Sequence, residues 1–244
     1  MKIFVCTLAL LTSCAGVSLL RGSAMDTPEI AKFIEGVRQD EAKRVAMSAE
    51  GSIRLQQSVA QIKARVSLAV DPKRVRLDVS TDTGNVLFAL SSNGQRVGIL
   101  NLDKKEFLGR PVGPGDLAAI NLPSIDTRAL GLLLLARSPC PGQPTGADET
   151  HLEWSDCLGG TLLATYTRNP NGHAYLRALE LTVDKQQTIS ARLIGHTTSG
   201  VARRVEIDTK EANFVIQLEE IDEAPVFDDD LFDLQAPPGV RTID

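Results

Sequence analysis

The chain has 244 residues, 43% hydrophobic and 23% charged, with a formal net charge of −5. This composition excludes a disordered, collagen-like or multi-span membrane chain. The mild acidity excludes a basic face for phosphate backbones, so no nucleic-acid partner is expected, and an aromatic content of 4% leaves little for stacking on sugars or bases.

Lys2 is followed by a nearly unbroken apolar stretch from Ile3 to Leu11, the shape of an export signal and too short to span a bilayer. The next residues, Leu11-Thr12-Ser13-Cys14, resemble a bacterial lipobox. That resemblance implies a signal peptide over 1–13, lipidation of Cys14 with palmitate-type chains, and a tether over 14–26. Two or more acyl chains on one residue hold a protein stably on a membrane. Ala15 stands where an inner-membrane lipoprotein usually carries Asp, which points to the periplasmic face of the outer membrane. The alternative is cleavage after Gly22-Ser23-Ala24 and release into the periplasm.

Cys6 leaves with the signal and Cys14 is alkylated, so Cys140 and Cys157 remain. An even pair in an oxidising compartment suggests a disulfide across the flexible Pro139-to-Gly146 stretch; two free, half-buried thiols are the alternative. His151 lies near Cys157, but one histidine and two cysteines at irregular spacing make a poor metal site.

Downstream, Asp26-Thr27-Pro28-Glu29 offers an N-cap at Asp26, a proline just inside the helix start and a capping-box carboxylate. Ile30, Phe33, Ile34 and Val37 recur at helical spacing, so an amphipathic helix is expected to end near Arg44. From Met47 to Leu108 the period becomes 2. Val75, Leu77 and Val79 form one apolar face and Val86, Phe88 and Leu90 the next, with Gly/Asn turns between strands.

A second helix is expected over 124–137, where Leu130, Leu132, Leu133, Leu134 and Leu135 cover every side, so it is buried all round or lines an apolar space. A loop from Cys140 to Cys157 follows, and strands resume near Thr161 and run to about Asp222. No fixed-period repeat is present, which disfavours a propeller or solenoid.

The ending Phe232-Asp233-Leu234-Gln235-Ala236-Pro237-Pro238-Gly239-Val240-Arg241-Thr242-Ile243-Asp244, with the order helix, strands, helix, strands, resembles the LolA/LolB lipoprotein-localisation superfamily. Within it, Cys14 is similar to the lipidated, LolB-like side. The resemblance implies an α+β, mainly β fold: a single domain over 27–244, a half-open antiparallel β-barrel closed by a final strand beginning at Phe232. Its N-terminal helix and mid-chain helical lid cover an apolar cavity. It also implies acyl chains of lipids or lipoproteins as partners, the membrane through Cys14, and a periplasmic lipoprotein carrier as a further partner. The candidate cavity and lid residues are Val75, Leu77, Val79, Val86, Phe88, Leu90, Leu130, Leu132, Leu133 and Leu134.

A curved sheet with one apolar face needs a cover, and an acyl chain supplies one at about 0.8 kcal/mol per buried CH₂. A core filled by the protein's own leucines satisfies the same need, which leaves open a structural or assembly lipoprotein, or a lipid-sensing regulator. No nucleophile elbow, zinc-helix, P-loop or dinucleotide motif occurs, so neither catalysis nor a cofactor is expected. His151, His173 and His196 read as surface or turn residues, Asp228-Asp229-Asp230 as a solvated turn, and Ser155 as lacking a base.

Overall fold

A computed structural model describes residues 27–57, 60–117, 125–183, 187–210 and 212–243. The stretch read as an export signal, Cys14 and Asp26 lie outside them. Helix α1 (Pro28–Ala42) begins one residue later than expected: Thr27 is the N-cap and accepts from the Ile30 amide at 3.4 Å. Proline favours the first helical position and holds its predecessor extended, which makes Thr27 the boundary. The apolar stripe Ile30, Phe33, Ile34 and Val37 is buried, and Phe33 meets Tyr166 edge-on.

Six strands follow: β1 (Met47–Gln57), β2 (Ala60–Val70), β3 (Val75–Ser80), β4 (Val86–Ser92), β5 (Arg96–Asn101) and β6 (Glu106–Pro111). After α2 (Thr127–Leu134) come β7 (Gly146–Ala147), β8 (His151–Cys157), β9 (Gly160–Arg168), β10 (Ala174–Val183), β11 (Gln187–His196), β12 (Ala202–Asp208) and β13 (Ala212–Glu223). A 3-10 turn over Asp229–Phe232 and β14 (Arg241–Ile243) end the fold.

Among the described residues the fourteen strands form one sheet in the order β14-β6-β5-β4-β3-β2-β1-β13-β12-β11-β10-β9-β8-β7. β14 pairs parallel with β6 and the other neighbours pair antiparallel. The sheet is curled and open, a half-open β-barrel with few helices.

The topology dictates where α2 lies. Strands β1 to β6 step outward in one direction, the chain crosses to the opposite edge, and β7 to β13 return until β13 meets β1. The crossing segment carries α2, and its all-round leucines demand burial, so it runs across the concave face. There the inward positions keep register from strand to strand: Trp154 opposite Leu162, Leu162 opposite Leu181, Ala191 opposite Ile207, Phe214 opposite Leu55. A register shift at Glu50/Gly51 bends β1 against β13. A Cβ on Gly51 would stand 2.0 Å from the Gln217 carbonyl oxygen, so only glycine permits this approach.

Three further local readings are corrected. The stretch before Cys157 is not all loop: Leu152 and Trp154 are buried and alternate with Glu153 and Ser155 in β8. The mid-chain helix is shorter than 124–137, starting at Thr127 behind an Asp126 cap whose carboxylate accepts from Ala129 at 2.7 Å; position 124 lies outside the described residues. It stops where Ala136 adopts a left-handed φ of 53° and the Ala136 and Arg137 amides turn back to the Leu133 and Leu132 carbonyls. Finally, Phe232 opens no strand. It is buried on the outer face under the Arg74 guanidinium, and the last strand comes only at Arg241.

Candidate functional site

The concave face holds a small, almost wholly apolar cavity of about 30 Å³ where α2 crosses β9, β10 and β11. Ile125, Ala129 and Leu133 form its roof, and Leu162, Leu179, Leu181, Ile189 and Ala191 its floor. The floor is a product of register: Leu181 faces Leu162 on one side and Ile189 on the other, and Leu179 faces Ala191. Pro139 and Leu158 complete the lining and are its two half-buried members, so they form the rim.

That rim adjoins both cysteines. Cys140 and Cys157 are joined by a disulfide with Cα atoms 5.6 Å apart, which ties the segment after α2 to the end of β8. Leu158 and Gly159 are the two loop residues of the β8–β9 hairpin, with φ of 54° and 77°. Both φ values are positive, as a type I′ turn requires, and such turns favour Asn-Gly. A leucine there costs roughly 1–2 kcal/mol against a residue that tolerates the left-handed region.

The sequence-derived candidates divide by position. Leu130, Leu132, Leu133 and Leu134 are all buried, and of these Leu133 lines the cavity. Val75, Leu77 and Leu90 are buried in the same core, Val79 and Phe88 pack against it half-buried, and Val86 is 38% exposed. The cavity wall thus comes from β9 to β11 rather than from β3 and β4. Its location follows from α2's packing: a Cβ on Gly131 would stand 3.3 Å from Val70 and 3.7 Å from Val75, so that flank is already in contact. The floor residues were visible in the sequence as alternating apolar positions. Leu158 carried a further signal, an aliphatic side chain where a tight turn favours asparagine.

Polar groups hold α2 at both ends while its middle makes apolar contacts. At the N-terminal end buried Asp116 accepts from the Thr127 amide at 3.0 Å and from its hydroxyl at 3.0 Å. Burial raises the Asp116 carboxyl above its usual range, opposed by the bonds from Thr127 and Gly113. Beyond the C-terminal end Arg44, 3% exposed, donates to the Ala136 carbonyl at 2.9 Å and to the Ser199 carbonyl at 3.4 Å. Glu41 accepts from the Ser138 amide and the Tyr166 hydroxyl, each at 2.9 Å. Burial raises Glu41, and burial with the Glu41 charge raises Tyr166 further.

The histidines lie outside the cavity. His151 meets Asp148, and His173 meets Asp40, which burial pushes up but Lys43, the Ala174 amide and His173 hold below its usual value. His196 donates from Nε2 to the Leu176 carbonyl at 2.8 Å and stacks on Tyr175. Burial depresses its pKa, and the Arg44 charge adds to this against the bond to Leu176. As pH falls below about 6.5 the unfolded chain therefore takes up this proton first, and stability declines towards the lower folded pKa. His196→Gln is expected to flatten the melting temperature over that window relative to the parent; parallel profiles would contradict the assignment.

Asp229 of the acidic turn pairs with Arg74, and Ser155 shares a hydrogen bond with Thr145. Among the described residues no group of three or more His, Cys, Asp or Glu is arranged to hold a metal. Among them, too, no helix is long and apolar enough to cross a membrane.

No protein-family model matches the chain, and no curated protein does. Solved structures do. A LolA superfamily protein from Nitrosomonas europaea is similar with a TM-score of 0.53 at 10% identity, over 84% of this chain and 97% of that one. A domain assigned to outer membrane lipoprotein sorting, from Vibrio parahaemolyticus, gives 0.54 at 7% identity, over 83% and 96%. At such identities the likeness is one of fold, and the chain has the half-open β-barrel fold of a LolA superfamily protein.

Proposed function

We propose that this chain is an acyl-chain-binding lipoprotein, held by lipidated Cys14 on the periplasmic face of the outer membrane. It takes up lipids or lipoproteins from the periplasm, with a soluble lipoprotein carrier as donor. The observation that carries this reading is the apolar cavity roofed by a helix whose polar ties are at its ends. Such a site offers no catalytic group and suits a hydrocarbon chain. The fold likeness to a LolA superfamily protein and to a lipoprotein-sorting domain supports it.

At about 30 Å³ the cavity is far smaller than ligand pockets of roughly 300–1,000 Å³, so uptake requires α2 to move and acyl methylenes to replace its leucines against the floor. The same volume favours a second reading, a structural lipoprotein whose core is already filled. Titration of the Cys14→Ser chain with a dansyl-labelled undecanoic acid separates the two. The carrier reading expects saturable fluorescence enhancement, weakened at least about tenfold by Ala191→Leu, which fills the volume from the rigid floor. No enhancement from the parent chain supports the filled core.

A further inference from the structure

We propose that Leu158 is a gate that retains the bound acyl chain, placed at the cavity rim by a turn geometry its side chain disfavours. This rests on the acyl-chain reading above and names the residue that controls release.

Three observations meet at this side chain. Leu158 occupies the first loop position of a two-residue hairpin at φ 54°, a left-handed conformation that asparagine and glycine adopt far more readily. Its side chain nevertheless lines the cavity and packs against the main core, half-buried where the floor residues are fully buried. It is also bracketed by covalent and backbone constraint. Cys157 beside it is bonded to Cys140, and Cys157 pairs with Gly160 across the turn.

Gly160 allows the hairpin to lie close to β10: a Cβ there would stand 2.2 Å from the Thr182 carbonyl oxygen. Leu158 therefore cannot move away without disturbing the turn, the disulfide or the β9–β10 contact. Strain retained at a position that a commoner turn residue would relieve points to a use for the side chain.

That use follows from what it touches. The other half-buried lining residue, Pro139, belongs to the segment leaving α2, across the disulfide. A chain lying on the Leu179–Ala191 floor would reach solvent between these two, and leaving would require passing Leu158. Because no polar side chain lines the cavity, the ligand's polar end stays outside this rim and its hydrocarbon lies inside.

The test compares the full chain carrying Cys14→Ser, with its disulfide oxidised, against the same chain carrying Leu158→Asn or Leu158→Gly. Both substitutions suit the turn, so neither depends on the other folding. Melting temperature and the dissociation rate of dansyl-labelled undecanoic acid are read in parallel. The gate expects a melting temperature equal to or above the parent's, with dissociation about tenfold faster in both variants, from the lost apolar contact. Unchanged dissociation overturns the gate while the acyl-chain reading stands. A lowered melting temperature in both variants overturns it too, since Leu158 would then serve the fold. A parent chain that binds no probe removes the acyl-chain reading and the gate with it.

Discussion

Replacing Cys140 and Cys157 together by serine is expected to lower the free energy of unfolding by about 3 kcal/mol, read by urea denaturation against the oxidised parent. The bonded residues are 17 apart, and closing a loop of that length removes about this much denatured-state entropy. The start of the loop is held weakly by packing, since Pro141, Gly142 and Gln143 are exposed ahead of buried Pro144. Ties are few only in its first part, where the Gly142 carbonyl accepts from Arg38 and Thr145 bonds the Glu153 carbonyl and Ser155; the second part is β8, paired with β9 and seated in the core by Leu152 and Trp154. The reduced loop also frees Pro139 and Leu158, so the double variant is expected to release an acyl probe faster. A loss below about 1 kcal/mol would show that these few bonds suffice.

Arg44→Met is the second large effect, expected to cost about 3 kcal/mol. The guanidinium is buried between the segment after α2 and the β11–β12 turn, and it satisfies carbonyls on both, at Ala136 and Ser199. Methionine fills similar apolar volume but leaves both oxygens without this donor, and it removes a cation beside the buried Glu41 carboxylate. Burial already lowers the Arg44 pKa, with Glu41 and Tyr166 opposing it. The Arg137 guanidinium returns to the Arg44 carbonyl at 3.2 Å, so the two residues brace one another. Lysine is not expected to rescue, since one ammonium cannot reproduce the planar fork. Hydrogen exchange of the Ala136, Arg137 and Ser138 amides should accelerate in Arg44→Met; unchanged protection would mean that the turn ending α2 is self-sufficient.

Much of this architecture is legible in the sequence because it rests on periodicity. Val75, Leu77 and Val79 alternate cleanly, Ile30, Phe33, Ile34 and Val37 follow a helical period, and five leucines in six positions require a buried helix. Elements that depend on distant partners are not legible in this way. β8 was obscured because Glu153, Ser155 and Asp156 make its outward face look like loop, and β14 has three residues whose strand character comes from parallel pairing with β6.

The cavity wall was displaced from expectation for a similar reason. Alternation marks β3 and β9 equally as apolar-faced, and which of them α2 seals tightly is decided by Gly131 seating against Val70 and Val75. Val86 continues the apolar pattern of β4 but stands at the strand's start, where it is 38% exposed. The polar ties on α2 join residues 92 positions apart at Arg44 and Ala136 and 97 apart at Glu41 and Ser138, separations that no local pattern reveals.

The central claim is that hydrocarbon binds under α2 on the β9-to-β11 floor. Photo-cross-linking with a fatty acid bearing a terminal diazirine, followed by peptide mapping of the adducts, tests it most directly. The account predicts adducts on α2 and on the strands carrying Leu162, Leu179, Leu181, Ile189 and Ala191, competed away by unlabelled fatty acid. Adducts confined to the outer face beneath Phe232 and Leu234, or labelling that unlabelled fatty acid does not displace, would contradict it.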